Sequence, residues 1–575
     1  MKNNKIISIA SIAIIILSIV LGFVLKNEVA STVFKTIAIV TSAAIAIIAL
    51  AKGDKTYKIV SVAILFSVIL GYIIPGTAVQ YGMAQKGTIS PVALADIFTN
   101  TIYSANVFVP AVAYVLVIGA FYAVLKKTGK YESLVNNVAT TFNKNKGLFI
   151  VLTIFALGLV TLFTGEFYTL LIFVPFLISV ARKLGFSKET ALLSTIGSIL
   201  LGNAGSMYTY YTNQILGLSV KNNILPKVLV AVVALVLLVA FILVFAEKPK
   251  ATKELEKEKD NLVPLHIVMW LTFVLLILGF VNWNGYFGFK GFDNFLELLR
   301  KGTISKVPIF DALVGKTIVS FGTWQLFNAS VLFIFVTIII ALIYKIKFND
   351  LLDSFAQGFK KAFPYAMLIV LAIVVLVNVA YSGTFYTIIM AITKKTVNLL
   401  TSSVAAILTA IFCPDSINAA QFTVYSATLT KATNYQNILA ITYQAVYSLF
   451  LLVSPTSILL LLGLRYTETR YKDWIKYIYK FFLVLFVSLL VVISVSVKGF
   501  TAASIIALVL LVIALALIVY LRVSKVTKEI STKKEEKKVE VKKEVKETTK
   551  KTTTKKAPAK KAPAKKNSTK KTTKK

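Results

Sequence analysis

Gly202-Asn203-Ala204-Gly205-Ser206 and Ser454-Pro455-Thr456-Ser457 are short polar breaks inside sequence otherwise fit only for a lipid bilayer, and the fold turns on them. Each follows a carboxylate at nearly the same distance. Thr164-Gly165-Glu166 places Glu166 40 residues before Ser206, and Cys413-Pro414-Asp415-Ser416 places Asp415 39 residues before Ser454. One carboxylate and one small-polar break, repeated at matching spacing in the two halves of a membrane protein, point to a transporter built from internal repeats.

The surrounding composition is that of a polytopic α-helical membrane protein. Of 575 residues, 57% are hydrophobic and 15% charged, with a mean hydropathy of +0.79; a soluble chain carries roughly 25% charged residues. Apolar stretches recur at 6–25, 36–51, 60–74, 107–125, 227–245, 267–281, 331–344, 366–380, 481–497 and 502–521. The longer ones approach the ~20 residues that cross a hydrocarbon core of about 30 Å. The first has the charged start of a signal peptide but no small-residue cleavage site, so a retained helix is expected. A single cysteine, Cys413, excludes an intrachain disulfide. The lone histidine, His266, sits at the entrance of an apolar segment and reads as an interfacial residue.

The net charge of +38 is unevenly spread. Residues 522–575 hold 22 Lys/Arg against 6 Glu, a local charge of +16, and include Lys-Lys-Ala-Pro-Ala-Lys-Lys at 555–561. Such a segment has too little apolar surface to offset the entropy of ordering. The remaining lysines lie mostly in loops and orient the chain, because short cytoplasmic loops are Lys/Arg-rich. With the N-terminus inside, Lys52, Lys55 and Lys58 fall inside, as do Lys126, Lys127, Lys130, Lys144 and Lys146. Residues 147–181 then form a hairpin that enters from the cytoplasm and returns to Arg182 and Lys183. Residues 187–220 cross outward through the first break. The second half follows upside down: 401–433 form a hairpin entering from outside, and 434–466 cross inward through the second break. Both termini are expected in the cytoplasm, in a multi-pass plasma-membrane protein.

Inside lipid every backbone N–H and C=O must be paired, so unwound backbone survives only around a protected polar cavity. An unwound segment frees carbonyls that hold a cation and exposes a half-helix N-terminus that suits a carboxylate. Na⁺ is therefore expected at the Gly202–Ser206 and Ser454–Ser457 breaks, with H⁺ the other candidate coupling ion and no further cofactor. Carboxylates within the membrane are costly and usually functional. Glu166 and Asp415 could coordinate Na⁺, carry a proton or balance a cationic substrate, unless their hairpin tips reach the interface and stay solvated. Tyr208, Tyr210, Tyr211, Asn213 and Gln444 are further candidates to line a cavity.

Several motifs carry a family resemblance. Tyr72-Ile73-Ile74-Pro75-Gly76, Lys127-Thr128-Gly129, Pro175, Leu184-Gly185-Phe186 and Gly202–Ser206 come in order in the first half. Pro414–Ser416, Gln444, Ser454–Ser457 and Tyr471-Lys472-Asp473-Trp474 follow in the second. From 57 to 497 the chain resembles YfcC-like proteins of the C4-dicarboxylate anaerobic carrier group, within the broader ion transporter superfamily. The resemblance implies an inverted-repeat secondary transporter with paired hairpins and a central site, in a family of dicarboxylate carriers, arginine/ornithine exchangers and short-chain fatty acid carriers. Its implied site residues are Asn203, Gly205, Ser206, Ser416, Ser454, Thr456 and Ser457. The chain departs from the pattern in a single hairpin acid, Glu166, where two adjacent acids are usual. It departs again in Val446-Tyr447 for a Gly-Asp pair and in Asp415 within a usually Ser-rich tip.

The expected fold is an all-α polytopic inverted-repeat transporter with two helical hairpins and two discontinuous helices. Extra N-terminal helices lie at 1–56, the first repeat and its linker at 57–262, the second repeat at 263–497, an extra helix at 498–521 and the basic tail at 522–575. The expected function is secondary active transport of a small organic ion by alternating access, with ion coupling or exchange. A carboxylate and a basic amino acid are both open as substrate, the departures leaning toward the amino acid. The alternative is a membrane scaffold whose 522–575 tail binds anionic lipid or RNA, which leaves Glu166 and Asp415 unexplained. An enzyme is disfavoured, since there is no nucleotide-binding glycine-rich loop, metal-ligand cluster or Ser/His pairing. A homodimer is expected from relatives by fold.

Overall fold

The computed structural model describes residues 2–53, 55–74, 92–165, 168–207, 223–250, 260–304, 307–393, 398–414, 419, 433–498, 501–502, 505–520 and 522. Glu166, Tyr208, Tyr210, Tyr211, Asn213, Asp415 and Ser416 lie outside them, as does the tail from 523 onward. Among the described residues, nine helices are long and apolar enough to cross a membrane: Glu28–Lys52, Thr56–Ile73, Ala105–Lys127, Lys146–Thr164, Ile224–Phe245, Val263–Phe280, Leu326–Ile343, Phe348–Tyr381 and Tyr471–Ser496. Residues 1–511 form one compact unit; of the second, 512–575, the described part is helical at 512–520 and 522.

The order of elements repeats. Helices starting at Ala105, Lys146, Lys188 and Ile224 answer to helices starting at Phe348, Leu399, Thr433 and Tyr471, a near-constant offset that matches the spacing of the two breaks. The first hairpin is present as helix Lys146–Thr164, a left-handed Gly165 (φ 67°), a 3₁₀ turn at Thr169–Ile172 and helix Val174–Lys183. Its two ends meet at one place: Lys146 Nζ donates to the Lys250 carbonyl (3.3 Å), and Lys250 N donates to the Gly185 carbonyl (3.0 Å). The chain therefore returns to the side it entered from, as the lysine pattern requires. Of the second hairpin the structure describes the first arm, Leu399–Phe412, and the residues up to Pro414.

Helix Phe348–Tyr381 differs from expectation. Hydropathy marks only 366–380, with Lys360 and Lys361 in a loop, but the helix runs 34 residues and carries both lysines and Pro364 within it. Its first half is amphipathic, with Ser354, Gly358 and Ala362 buried on one face, so it needs no lipid to stay helical. The chain beside Pro364 is pinned by Tyr57, whose hydroxyl donates to the Pro364 carbonyl (2.7 Å).

The linker between the halves is tied down at its far end by Asp260, which accepts from Lys130 Nζ (2.7 Å) and Ser133 Oγ (2.6 Å). These two hydrogen bonds hold its carboxyl below the usual value of 3.8. A depressed carboxyl contributes stability that is complete above the unfolded value and disappears as pH falls through the folded one. The melting-temperature gap between the wild type and Asp260→Asn should thus be constant from about pH 7 to about pH 5 and narrow as the pH falls below about 3.8. A gap as wide at about pH 3 as at about pH 7 would show that the latch is not electrostatic.

Candidate functional site

The second break begins where helix Thr433–Phe450 ends and closes where Ile458–Tyr466 begins. Its hydroxyls clasp the end of the hairpin arm Leu399–Phe412, whose last carbonyls have no partner within that helix. Ser454 Oγ donates to Ala410 O (2.5 Å) and Thr456 Oγ1 to Ile411 O (2.8 Å), while Thr456 N donates back to Ser454 Oγ (3.2 Å). Two of the carbonyls that the break itself frees are taken by the Tyr471-Lys472-Asp473-Trp474 motif. Trp474 Nε1 donates to Leu452 O (2.7 Å) and the Tyr471 hydroxyl to Val453 O. Both side chains are buried. The motif is therefore a device for sustaining unwound backbone in a water-poor interior.

Trp474→Phe keeps most of the packing but leaves Leu452 O unpaired, which should destabilise by about 1–3 kcal/mol. The midpoint of thermal unfolding measures this; an unchanged midpoint would mean that water replaces the indole. Ser457 differs from its neighbours. Its Oγ is buried and has no hydrogen-bond partner among the described residues, as is also true of Thr442 Oγ1. A buried hydroxyl without a partner costs free energy unless a ligand or ion completes it.

The first break is built by close packing. Helix Ser198–Ala204 ends at Gly205, and Met207 N then donates to Leu162 O (2.8 Å) on the hairpin arm Lys146–Thr164. A Cβ on Gly202 would sit 2.8 Å from Gly158 Cα, and one on Gly205 would overlap the Lys227 carbonyl and lie 2.7 Å from Ala231 Cβ. Only glycine lets three backbones approach this closely. Ser206 is fully buried beside them.

The two halves meet directly at this level. Asn203 Nδ2 donates to Ser448 Oγ (2.8 Å), and Gln444 Nε2 donates to Asn203 O (2.7 Å) and Oδ1 (3.2 Å). Asn203 and Gln444, named separately from the sequence, thus form one buried cluster with Ser448, which the sequence reading missed. Tyr447, one of the departures from the family pattern, donates to Cys413 O (3.0 Å) and so supports the chain two residues before Asp415. The irregular backbone of the first hairpin is held likewise: the Tyr114 hydroxyl donates to Thr169 O (2.5 Å) and the Tyr122 hydroxyl to Ile172 O (2.6 Å).

Lys227 is the more consequential omission. It lies in the first turn of helix Ile224–Ala240, is only 1% exposed and abuts Gly205 through its backbone. The sequence reading set it at the edge of an apolar span, where a lysine normally reaches out to water. A lysine that stays buried in a membrane segment is expensive, which makes Lys227 a candidate for the site. One signal was present: it directly precedes the apolar run 228–246 and stands far from the next lysine, Lys248. Among the described residues no group of three His, Cys, Asp or Glu side chains could hold a metal ion.

The crystal structure of the YdaH transporter of Alcanivorax borkumensis, described as having an unusual topology, aligns with 78% of this chain and 98% of its own at 14% identity and a TM-score of 0.37. A likeness this weak carries no argument about the site. A search of curated proteins finds no match. The profile of the DcuC family, described as C4-dicarboxylate anaerobic carrier, matches residues 9–498 and so takes in both repeats, both breaks and Lys227. The chain belongs to the C4-dicarboxylate anaerobic carrier family, and it is a multi-pass membrane carrier.

Proposed function

We infer that this carrier moves a small dicarboxylate across the plasma membrane by alternating access, with both chain termini in the cytoplasm. The observation that carries the reading is Lys227, a buried cation packed against the first break of a chain in a dicarboxylate carrier family. On this reading a substrate carboxylate is balanced by the Lys227 ammonium group, at the level of the Asn203–Gln444–Ser448 cluster. A basic amino acid, toward which the family departures lean, would meet like charge at Lys227. The dicarboxylate is the better electrostatic fit.

Na⁺ coupling is part of the same reading. The hydroxyls of Ser457 and Thr442, which have no hydrogen-bond partner among the described residues, are hard oxygen donors of the kind Na⁺ takes, and they lie in or beside the second broken helix. Glu166 and Asp415 would tune the charge of the loaded site. Purified protein in proteoliposomes tests this with labelled succinate, ornithine and arginine, each with a Na⁺ gradient, a proton gradient or neither. Succinate uptake that needs inward Na⁺ is the expected result. Arginine or ornithine exchange without succinate uptake would overturn the substrate class, and succinate uptake driven by protons alone would replace Na⁺ with H⁺.

A further inference from the structure

A cavity distinct from the breaks opens between helices Ala105–Lys127 and Phe348–Tyr381 on one side and the first hairpin with Ile458–Tyr466 on the other, with a volume of about 470 Å³. Its inner wall is apolar, formed by Val115, Ile118, Leu171, Val174, Ile196 and Leu462. Its polar groups gather at one end. Lys126 lies in the last turn of its helix, Arg465 in the last turn of its own, and Lys361 and Tyr365 near the middle of theirs. From Val115 to Lys126 the lining spans about 16 Å along one helix. The space is therefore long, apolar within and cationic at the mouth.

The cations are poised for an anion. None of Lys126, Lys361 and Arg465 makes a salt bridge among the described residues. Arg465 lies over the rings of Tyr57 (4.8 Å) and Tyr365 (5.4 Å), and Lys126 over Tyr131 (5.4 Å), contacts that fix the charges without neutralising them. Of the phenols that line the space, Tyr122 is engaged with Ile172 O and Tyr131 with Ser179 Oγ (3.0 Å). A dicarboxylate does not suit this cavity, because its second carboxylate would enter an apolar wall with nothing to pair with. A phospholipid carries two chains and a large head group, and the volume holds one chain.

We propose that this cavity binds a long-chain fatty acid, its carboxylate at Lys126, Lys361 and Arg465 and its chain along the apolar wall, and that occupancy inhibits transport. Ile196 stands seven residues before Asn203 on the broken helix, about 10 Å along its axis. A ligand wedged there braces that helix and the first hairpin against helices Ala105–Lys127 and Phe348–Tyr381. Inhibition should then be non-competitive with the transported substrate.

The test uses the full chain in nanodiscs, with dodecanoate below its micellar concentration as probe and dodecanol as the uncharged control. Dodecanoate should raise the melting temperature, and dodecanol should need at least tenfold more to match it. The exposed-lysine double variant Lys126→Gln/Lys361→Gln should shift half-saturation by dodecanoate at least tenfold while keeping the ligand-free melting temperature. A diazirine-bearing fatty acid should label peptides from 115–131 or 458–466. Equal action of dodecanol, an unchanged double variant or labelling elsewhere would overturn the proposal. So would displacement of dodecanoate by succinate, which would make the cavity part of the transport path. Because melting and labelling need no uptake, a failure of the dicarboxylate reading would leave this result separately legible.

Discussion

Lys227→Gln is expected to lower succinate uptake at least about 30-fold and to remove the substrate's effect on thermal stability. Losing one member of a desolvated charge–charge contact costs roughly 2–5 kcal/mol, and each 1.4 kcal/mol is tenfold in binding. Lys227 is almost wholly buried where the first break packs against helix Ile224–Ala240. An amide of similar reach keeps hydrogen-bonding capacity while losing the charge. In the wild type, substrate at about 100 times its Kd should stabilise the folded state by about 2.7 kcal/mol; in the variant that gain should vanish. The ligand-free melting temperature separates this from a folding defect. Lys227→Arg keeps the charge with a larger, planar head and should recover only part of the uptake. Normal transport by Lys227→Gln would remove the central cation from the reading.

Gly205→Ala is expected to cost more stability than any other single methyl group at the breaks. The added Cβ overlaps a backbone carbonyl, that of Lys227, and lies 2.7 Å from Ala231 Cβ. Neither can swing away as a flexible side chain would. Overpacking of this kind costs about 1–3 kcal/mol and more where backbone must move, so a lowered melting temperature and reduced yield of folded protein are anticipated. Gly302→Ala is the control, since its nearest neighbour would be 3.6 Å away, in ordinary contact; surface changes of this sort stay within about 0.5 kcal/mol. Equal melting temperatures for the two variants would show that helix Ile224–Ala240 yields easily at the break.

Much of the architecture was legible because a bilayer leaves a chain few options. Apolar length marked the spans, and polar interruptions marked the breaks, since such residues would otherwise be excluded from lipid; the first begins later than its motif, because Gly202, Asn203 and Ala204 still belong to helix Ser198–Ala204 and the chain leaves the helix at Gly205. The extended helix Phe348–Tyr381 was only half visible, because hydropathy detects burial in lipid and its first half is amphipathic. By residue type Ser454, Thr456 and Ser457 are equal candidate ligands, yet the hydroxyls of Ser454 and Thr456 clasp helix Leu399–Phe412, whereas that of Ser457 has no partner among the described residues. Residue type alone does not distinguish a hydroxyl that caps a helix from one that awaits a ligand.

The sequence by itself determined an all-helical membrane carrier with two matching halves and a polar break in each, because periodicity, hydropathy and spacing are local properties of the chain. Tertiary structure decided which polar groups meet. It joined Asn203 to Gln444 and Ser448 across 241 and 245 residues, gave Trp474 the carbonyl of Leu452, and buried Lys227. Those outcomes depend on how closely glycine-lined backbones approach and which side chain reaches an orphaned carbonyl first. No one-dimensional pattern records such distances.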